Sequence, residues 1–213
     1  AKFCEENQIR LILVYRGGHF KSSLFKNDDT LLKFGLRMKE FLSGIGVAKF
    51  SVLSESTGAI YALATAAACE RMVQNLFLLS PFVALKELLP LFTNGAQLEQ
   101  IYGFLRNASI DEAVMATKNM YANASPTMLR LVEPQMDGIG FDSWMQARPL
   151  GFEIDKIEQN TIVWHSKEDK EAPFEAVLQI SKMLPRCELI GSSDTCGGQK
   201  AILGFLEIIK EKI

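Results

Sequence analysis

The stretch from Phe50 to Ala64 restricts the fold of this chain more than any other. Its first residues are apolar and suit a β-strand, and its last residues are rich in alanine and suit a helix. Between them, Ser56 has the small residues Ser54 and Gly58 two positions away on either side. This spacing is typical of a nucleophile elbow, a strained turn that projects a serine hydroxyl above the edge of a sheet. The alternative is a serine or threonine N-cap for the helix expected over 57–69.

The composition is that of an ordinary globular protein. Its 213 residues, 48% hydrophobic and 23% charged, suit one domain or a core with one large insertion. With 25 acidic and 23 basic residues, the chain has no strong field that would favour nucleic acid or anionic lipid. No apolar run approaches the roughly 20 residues of a membrane helix, and we expect no signal peptide. We therefore expect a soluble intracellular protein, in the cytoplasm or in an organelle matrix.

The cysteines give no sign of a metal site. Cys4, Cys69, Cys187 and Cys196 form no CxxC pair and no other metal-ligand spacing. We expect reduced thiols, and neither a metal nor another cofactor.

Short apolar runs alternate with amphipathic segments. The runs predict five strands: Ile9–Tyr15, Val47–Leu53, Val73–Leu79, Thr161–His165 and Cys187–Ile190. The amphipathic segments predict helices over Leu31–Leu42, 57–69, Phe174–Met183 and Gln199–Lys212. This alternation predicts an α/β fold with a mostly parallel, doubly wound sheet, in which active residues lie at the carboxyl ends of the strands.

Helical periodicity alone continues from Pro81 to about Gln159. We interpret residues 81–150 as a helical lid, inserted after the strand that ends near Leu79, over a core formed by 1–80 and 151–213. Five methionines of this region could line an adaptable apolar pocket, or could pack between lid helices: Met115, Met120, Met128, Met136 and Met145.

Four segments, in order, resemble the α/β-hydrolase superfamily in its lid-bearing, serine esterase-like branch. Arg16–Ser23 is similar to the family's Arg-Gly-x-Gly-x-Ser loop, and Ser54–Gly58 is similar to its elbow. Val163–Asp169 with Pro173 resembles the segment that carries the triad acid, and Leu184–Leu189 resembles the strand before the catalytic histidine. The resemblance covers most of residues 1–80 and 148–213.

The resemblance implies a role for three residues. Ser56 would be the nucleophile, and the backbone N–H of Thr57 would be half of the oxyanion hole. Asp169 would be the acid that orients a histidine.

The histidine itself is missing from the expected loop. Cys196 aligns best with the position where the family carries it, and Gly197 or Gly198 takes that position if the loop is shifted. A thiol, mostly protonated near pH 7, is a poor substitute for an imidazole. His19, in the loop after the first predicted strand, is a candidate substitute base, although a loop or capping role is the simpler interpretation. His165 stands where the family often has a histidine that takes no part in catalysis.

A second departure lies upstream. The family has three strands before the one that Ile9–Tyr15 resembles, and a His-Gly loop after the third supplies the other oxyanion donor. The resemblance therefore leads us to expect either a fragment or a protein that has lost that part. In an alternative, the loop 15–20 supplies the donor and Ile9–Tyr15 packs directly beside the elbow strand.

We therefore expect a catalytically degenerate protein that acts as a binding or assembly subunit, with a protein partner or an oligomer covering the sheet edge. The alternative is an active carboxylester or thioester hydrolase, or an acyltransferase, that uses Ser56 on a small apolar acyl or ester ligand under the lid. A phosphate-binding domain that uses residues 16–23 has little support, since the phosphate-binding glycine motifs are absent.

Overall fold

The computed structural model describes residues 2–23, 29–193 and 199–212. Its strands form one parallel four-stranded sheet in the order β1-β2-β3-β4, which is also their order along the chain. They are β1 (Phe50–Glu55), β2 (Val73–Leu79), β3 (Asn160–Ser166) and β4 (Cys187–Ser192). The predicted parallel α/β sheet is thus confirmed.

Nine α-helices are present among the described residues. They are α1 (Lys2–Glu6), α2 (Leu31–Gly44), α3 (Ala59–Ala68), α4 (Gly95–Leu105), α5 (Ile110–Tyr121), α6 (Pro126–Val132), α7 (Met136–Gln146), α8 (Phe174–Met183) and α9 (Gln199–Lys212). The described part of the chain has no helix that is both long and apolar enough to cross a membrane.

The described residues form two compact units. One, the helical unit, comprises those within 1–27 and 107–144. The other, the sheet unit, comprises those within 28–106 and 145–213 and contains all four strands. The division into a core and a covering lid stays a prediction, although the described chain between β2 and β3 is helical throughout its regular elements, as its periodicity predicts.

The core of the sheet unit lies on the two central strands. Phe77 and Leu79 of β2, with Ile162 and Trp164 of β3, form one buried cluster with Phe205 and Ile209 of α9. The Phe77 and Phe205 rings meet edge to face, with centroids 6.2 Å apart. The central strands are apolar at nearly every position because a parallel sheet between helix layers is buried on both faces.

Helices α2 and α3 pack closely on each other. Thr30 caps α2 by accepting a hydrogen bond from the N–H of Lys33, as N-cap threonines do. A side chain at Gly35 would place its Cβ 2.3 Å from the carbonyl oxygen of Ala64, so this contact requires glycine. The alanine-rich sequence of α3 thus permits a neighbouring helix to approach its backbone.

The prediction of a strand over Ile9–Tyr15 is wrong. These residues form no strand and take no place in the sheet; Leu11 and Leu13 are 60% and 67% exposed. The N–H groups of residues 10–15 donate to no backbone carbonyl of the described residues. The alternative in which this segment packs beside the elbow strand fails as well, because β1 ends the described sheet. An apolar β-forming run becomes a strand only when another strand lies beside it, and its own sequence does not supply one.

Candidate functional site

The strand β1 leads directly into the turn that carries Ser56. Glu55 ends the strand with extended backbone, and Ser56 opens a 3-10 turn of three residues that continues into α3. Ser56 has a φ of 51°, in the left-handed region that side chains other than glycine rarely adopt. Its side chain is exposed. A strained serine between a strand and a helix is the geometry that the elbow spacing predicts, and an ordinary N-cap, which has extended backbone, does not have it.

Thr57 and Gly58 complete the turn. The first N–H groups of a helix have no intrahelical acceptor, so a turn that opens a helix offers N–H donors. The position of Thr57 in this turn is compatible with the predicted oxyanion contact, which stays a prediction. Gly58 is buried, so a larger side chain two residues after Ser56 would have little room.

The strand β3 leads into the loop that carries Asp169. The Asp169 side chain is 8% exposed, and its Oδ1 accepts hydrogen bonds from the N–H groups of Glu171 (2.8 Å) and Ala172 (3.0 Å). These bonds close a tight turn before α8. The carboxylate therefore has a fixed orientation at the carboxyl end of a strand, where the resemblance predicts the acid of a triad.

His165 is the last residue but one of β3, and it is fully buried. Its Nε2 donates to the carbonyl oxygen of Ala172 at 2.6 Å, which leaves the lone pair on Nδ1, and Nδ1 has no partner among the described residues. Burial lowers the pKa of His165, and the hydrogen bond to Ala172 and the Asp169 charge offset only part of this effect. His165 is therefore neutral near pH 7, and its 3.8 Å approach to Asp169 is not an ion pair.

The sheet register separates His165 from Ser56. Glu55 pairs with Leu79, which pairs with Trp164, so the residues that follow, Ser56 and His165, stand two strands apart. Two strand spacings amount to about 10 Å, whereas a general base must come within about 3 Å of the proton that it takes. Because its Nε2–H is also bound to the Ala172 carbonyl, His165 does not serve Ser56 as a base.

The position that the resemblance assigns to the catalytic histidine, Cys196, lies outside the described residues. The loop around it contains no histidine in its sequence.

His19 lies in the helical unit, in a buried ionic cluster. Its Nε2 is 3.0 Å from Oδ2 of Asp142, and its Nδ1 is 3.4 Å from Oε1 of Gln135. Arg16 makes a two-pronged contact with the same carboxylate, at 2.5 Å and 3.3 Å. Both ring nitrogens of His19 thus have oxygen partners within this unit. Its use as a base for Ser56 stays a prediction.

Asp142 is the centre of this cluster, and it is almost fully buried. Burial has the largest single effect on the pKa of Asp142, and it raises this pKa because it disfavours the charged carboxylate. The hydrogen bonds and charges of His19 and Arg16 together outweigh burial, so the pKa of Asp142 is lowered. The sequence gives no local signal for this residue, because its partners lie more than 120 positions away along the chain.

The backbone of the loop of residues 16–22 is fixed to α7 and to the 3-10 turn Glu133–Gln135 that precedes it. The N–H of Gly138 donates to the carbonyl of Gly18, and the N–H of Phe20 donates to the carbonyl of Pro134, both at 2.9 Å. A Cβ at Gly138 would stand 2.3 Å from the ring of His19, so α7 admits the imidazole only because residue 138 lacks a side chain. This loop, which the sequence suggested as an anion or oxyanion loop, is therefore docked on a helix.

Ser80 is a further candidate for the site, and the sequence pattern did not single it out. It follows β2 directly, has a φ of 45°, and its buried Oγ has no partner among the described residues. Two neighbouring strands thus end in a left-handed serine, Ser56 after β1 and Ser80 after β2. Backbone strain of this kind clusters at functional sites, and only the Ser-Pro dipeptide at 80–81, a common turn signal, hints at it in the sequence.

The sheet unit contains a small apolar cavity. It has a volume of about 10 Å³, the space of one water molecule. It is lined by Pro81, Val83, Phe92, Ala172, Ala176, Val177 and Ile180. No acyl chain fits into this cavity. The candidate pocket methionines divide into exposed and buried ones: Met115, Met120 and Met128 are exposed, and Met136 and Met145 are buried.

The described residues hold no group of three or more histidine, cysteine or acidic side chains that could bind a metal ion.

Comparison with known proteins rests on structure alone. No family model matches the sequence. No curated protein matches it either.

Solved structures of hydrolases resemble the chain along most of its length. An esterase from Exiguobacterium antarcticum matches with a TM-score of 0.62 at 16% identity, over 99% of this chain and 86% of its own. A hydrolase from Oleispira antarctica has a TM-score of 0.64 at 14% identity, over 92% and 79%. An α/β hydrolase from a Medee basin deep-sea metagenome has a TM-score of 0.59 at 18% identity, over 89% and 74%. The chain therefore has the fold of the α/β-hydrolase superfamily.

Proposed function

We propose that this chain is a catalytically degenerate α/β-hydrolase-fold protein that acts as a binding or assembly subunit. One observation carries the proposal: both histidines of the 213 residues are held by other groups. His165 is buried and bound to Ala172, and His19 is bound to Asp142 and Gln135. Loss of the base of a serine triad lowers kcat by on the order of 10⁶-fold in a well-studied protease.

The oxyanion hole supports the same conclusion. Thr57 is the candidate for one N–H donor. In the loop 16–22, the candidate for the second, the N–H groups of Gly18, His19, Phe20 and Ser22 already donate to carbonyl groups of the helical unit. Removal of one oxyanion donor costs about 2.7–4 kcal/mol of transition-state stabilisation. Without a base and with one donor, Ser56 would react no faster than an ordinary exposed serine.

The free edge of β1 is the surface that we assign to a protein partner. It carries Leu53, which is 51% exposed, beside backbone groups that no described strand pairs. Natural proteins cover or blunt such edges. A small apolar ligand beneath the lid stays a prediction; the cavity lined by Pro81 and Ala172, which holds about one water, is too small for it.

Labelling with a fluorophosphonate probe tests the proposal, because the probe phosphorylates a serine only when its hydroxyl is activated. We expect wild type and Ser56→Ala to give the same low background by intact mass spectrometry. Fast, stoichiometric labelling that disappears in Ser56→Ala would overturn the proposal.

A second function is favoured by the strain at Ser56. A left-handed φ at a non-glycine residue persists where surrounding structure maintains it, often for function. It suits an active carboxylester or thioester hydrolase, or an acyltransferase, in which Ser56 is the nucleophile and His19 the base. Hydrolysis of short-chain nitrophenyl esters, compared among wild type, Ser56→Ala and His19→Ala, decides the matter. This candidate fails if neither substitution lowers the rate.

A further inference from the structure

A polar groove lies at the amino ends of β2, β3 and β4, at the opposite edge of the parallel sheet from Ser56. Its volume is about 630 Å³, within the roughly 300–1,000 Å³ of small-molecule sites. Nine described residues line it, all in the sheet unit, and eight of them are polar or charged, with Val73 as the exception. Because none of the nine belongs to β1, the groove does not depend on the edge of that strand.

Charges of both signs line this groove. The cations are Arg71, Lys156 and Arg186, and the anions are Glu70 and Glu158. The side chains of the two arginines and the two glutamates form no hydrogen bond and no ion pair within the described part of the chain. The Lys156 ammonium lies 3.9 Å from the carboxylate of the preceding residue, in an exposed pair. The groove therefore offers charges of both signs to a bound molecule.

Two arginines flank β3 at its amino end. Thr161 pairs with Cys187, so Arg186, which directly precedes β4, lies beside Asn160, the first residue of β3. Arg71 precedes β2, the neighbouring strand on the other side of β3. The two outer strands are about 10 Å apart, a span over which two arginine side chains that line one groove can contact the same ligand. Guanidinium groups present forked donors that match a carboxylate or a phosphate.

The buried side chain of Gln159 adds a hydrogen-bond acceptor to the wall of the groove. Gln159 is 8% exposed, and its Nε2 donates to the carbonyl oxygens of Ala66 (3.3 Å) and Glu70 (3.1 Å) at the end of α3. Its Oε1 accepts no hydrogen bond from a described residue. Buried polar atoms in folded proteins almost always have a partner, so a hydroxyl or ammonium group in the groove would supply the donor that this oxygen lacks.

We propose that this groove binds a small polar molecule that carries an oxyanion together with hydroxyl or ammonium groups. Arg71 and Arg186 bind the oxyanion, which is a phosphate or a carboxylate. Gln159 and the two glutamates accept hydrogen bonds from the hydroxyl or ammonium groups. The inference goes beyond the proposed function, because it uses no residue at the carboxyl ends of the strands.

Isothermal titration calorimetry with two probes tests the site. Glycerol phosphate presents a phosphate with hydroxyl groups, and glutamate presents carboxylates with an ammonium group. We expect saturable binding of at least one of them, with one molecule per chain, and the tighter probe identifies the oxyanion. The absence of saturable binding of either probe up to millimolar concentrations would overturn the inference.

Substitution of an arginine tests the place of binding. Arg186→Gln should weaken the binding of the tighter probe by about tenfold or more, since it removes charge-assisted hydrogen bonds. Arg10→Gln is the matched control, because Arg10 is exposed and does not line the groove, so this variant should bind the probe as wild type does. Equal binding by wild type and Arg186→Gln would overturn the inference.

Simpler probes test the class of ligand. Inorganic phosphate is the first probe without its hydroxyl groups, and glutarate is glutamate without its ammonium group. Each should bind about tenfold or more weakly than its parent probe, because Gln159 and the two glutamates then have no donor from which to accept. Equal binding would show a site for the oxyanion alone and would overturn the proposed class. Fluorophosphonate labelling of Ser56 is read separately, so this inference and the proposed function can fail independently.

Discussion

Replacement of Ser56 by glycine is expected to stabilise the fold. Ser56 has a φ of 51°, and its side chain is exposed, so the substitution removes no buried contact. A left-handed backbone brings the Cβ of an L-residue close to the following carbonyl oxygen, and glycine has no Cβ. The strain at the turn between β1 and α3 should therefore be released.

The expected change in the free energy of unfolding is the difference between two opposing contributions. Release of a left-handed residue from steric strain contributes about 1–2 kcal/mol. The greater freedom of glycine in the unfolded chain takes back about 0.4–1 kcal/mol. We therefore expect Ser56→Gly to raise the free energy of unfolding by about 1 kcal/mol, and the melting temperature by about 2–4 °C for a chain of this length.

Urea unfolding followed by tryptophan fluorescence measures this change. Trp164 on β3 is 5% exposed and reports on the sheet. Ser56→Ala is the matched control, because it removes the hydroxyl and keeps the Cβ, so its stability should equal that of wild type. If Ser56→Gly is no more stable than Ser56→Ala, then the backbone of Ser56 is not strained, and the interpretation of this turn as a nucleophile elbow is refuted.

Three further changes test the packing and the buried charges. Gly35→Ala should cost about 1–3 kcal/mol by overpacking, whereas Gly44→Ala, with nothing within 4 Å of its Cβ, should be neutral or stabilising; thermal unfolding compares them. Asp142→Asn should cost about 3 kcal/mol. Because the pKa of Asp142 is lowered in the fold, its contribution is present above about pH 4 and lost on further acidification, and the variant should lack this dependence in acid titration of stability. Burial lowers the pKa of His165, so stability should decline as pH falls below about 6.5, and His165→Gln should reduce that slope in urea unfolding.

Each of these three predictions can be contradicted by a specific result. Equal stabilities of the two glycine variants would show that α2 and α3 are not in close contact. An unchanged acid profile in Asp142→Asn would show that the carboxylate is not ionised against cations in the fold. A steeper slope in His165→Gln would show that the native histidine is charged.

Local sequence determined the elements of the sheet unit well. The apolar run Val73–Leu79 and the amphipathic run Phe174–Met183 begin and end where the pattern predicts, and Ser56 stands at the predicted turn. These features depend on periodicity, turn chemistry and capping, all of which act over a few residues. The run Val47–Leu53 begins three residues earlier than the strand, which starts at Phe50, because pairing with β2 and not apolarity sets the end of a strand.

Long-range partners were beyond the reach of the sequence. The run Ile9–Tyr15 has strong strand propensity but no strand beside it, and propensity alone leaves it outside the sheet. The contact of Asp142 with Arg16 and His19 joins positions far apart in the chain, so no spacing reveals it. The residues of the candidate site that could be predicted are therefore those that directly follow a strand, such as Ser56.

Because Gly138 has no side chain, a substitution at this position can change the packing of the loop of residues 16–22. A methyl group there would need the space of the His19 ring, so Gly138→Ala would expel the imidazole from α7 while leaving Ser56 and Asp169 chemically unchanged. Gly138→Ala therefore tests the role of the loop 16–22 without a change to the residues at the strand ends. The added methyl group disrupts the contact of the loop with α7, and Ser56 and Asp169 stay intact.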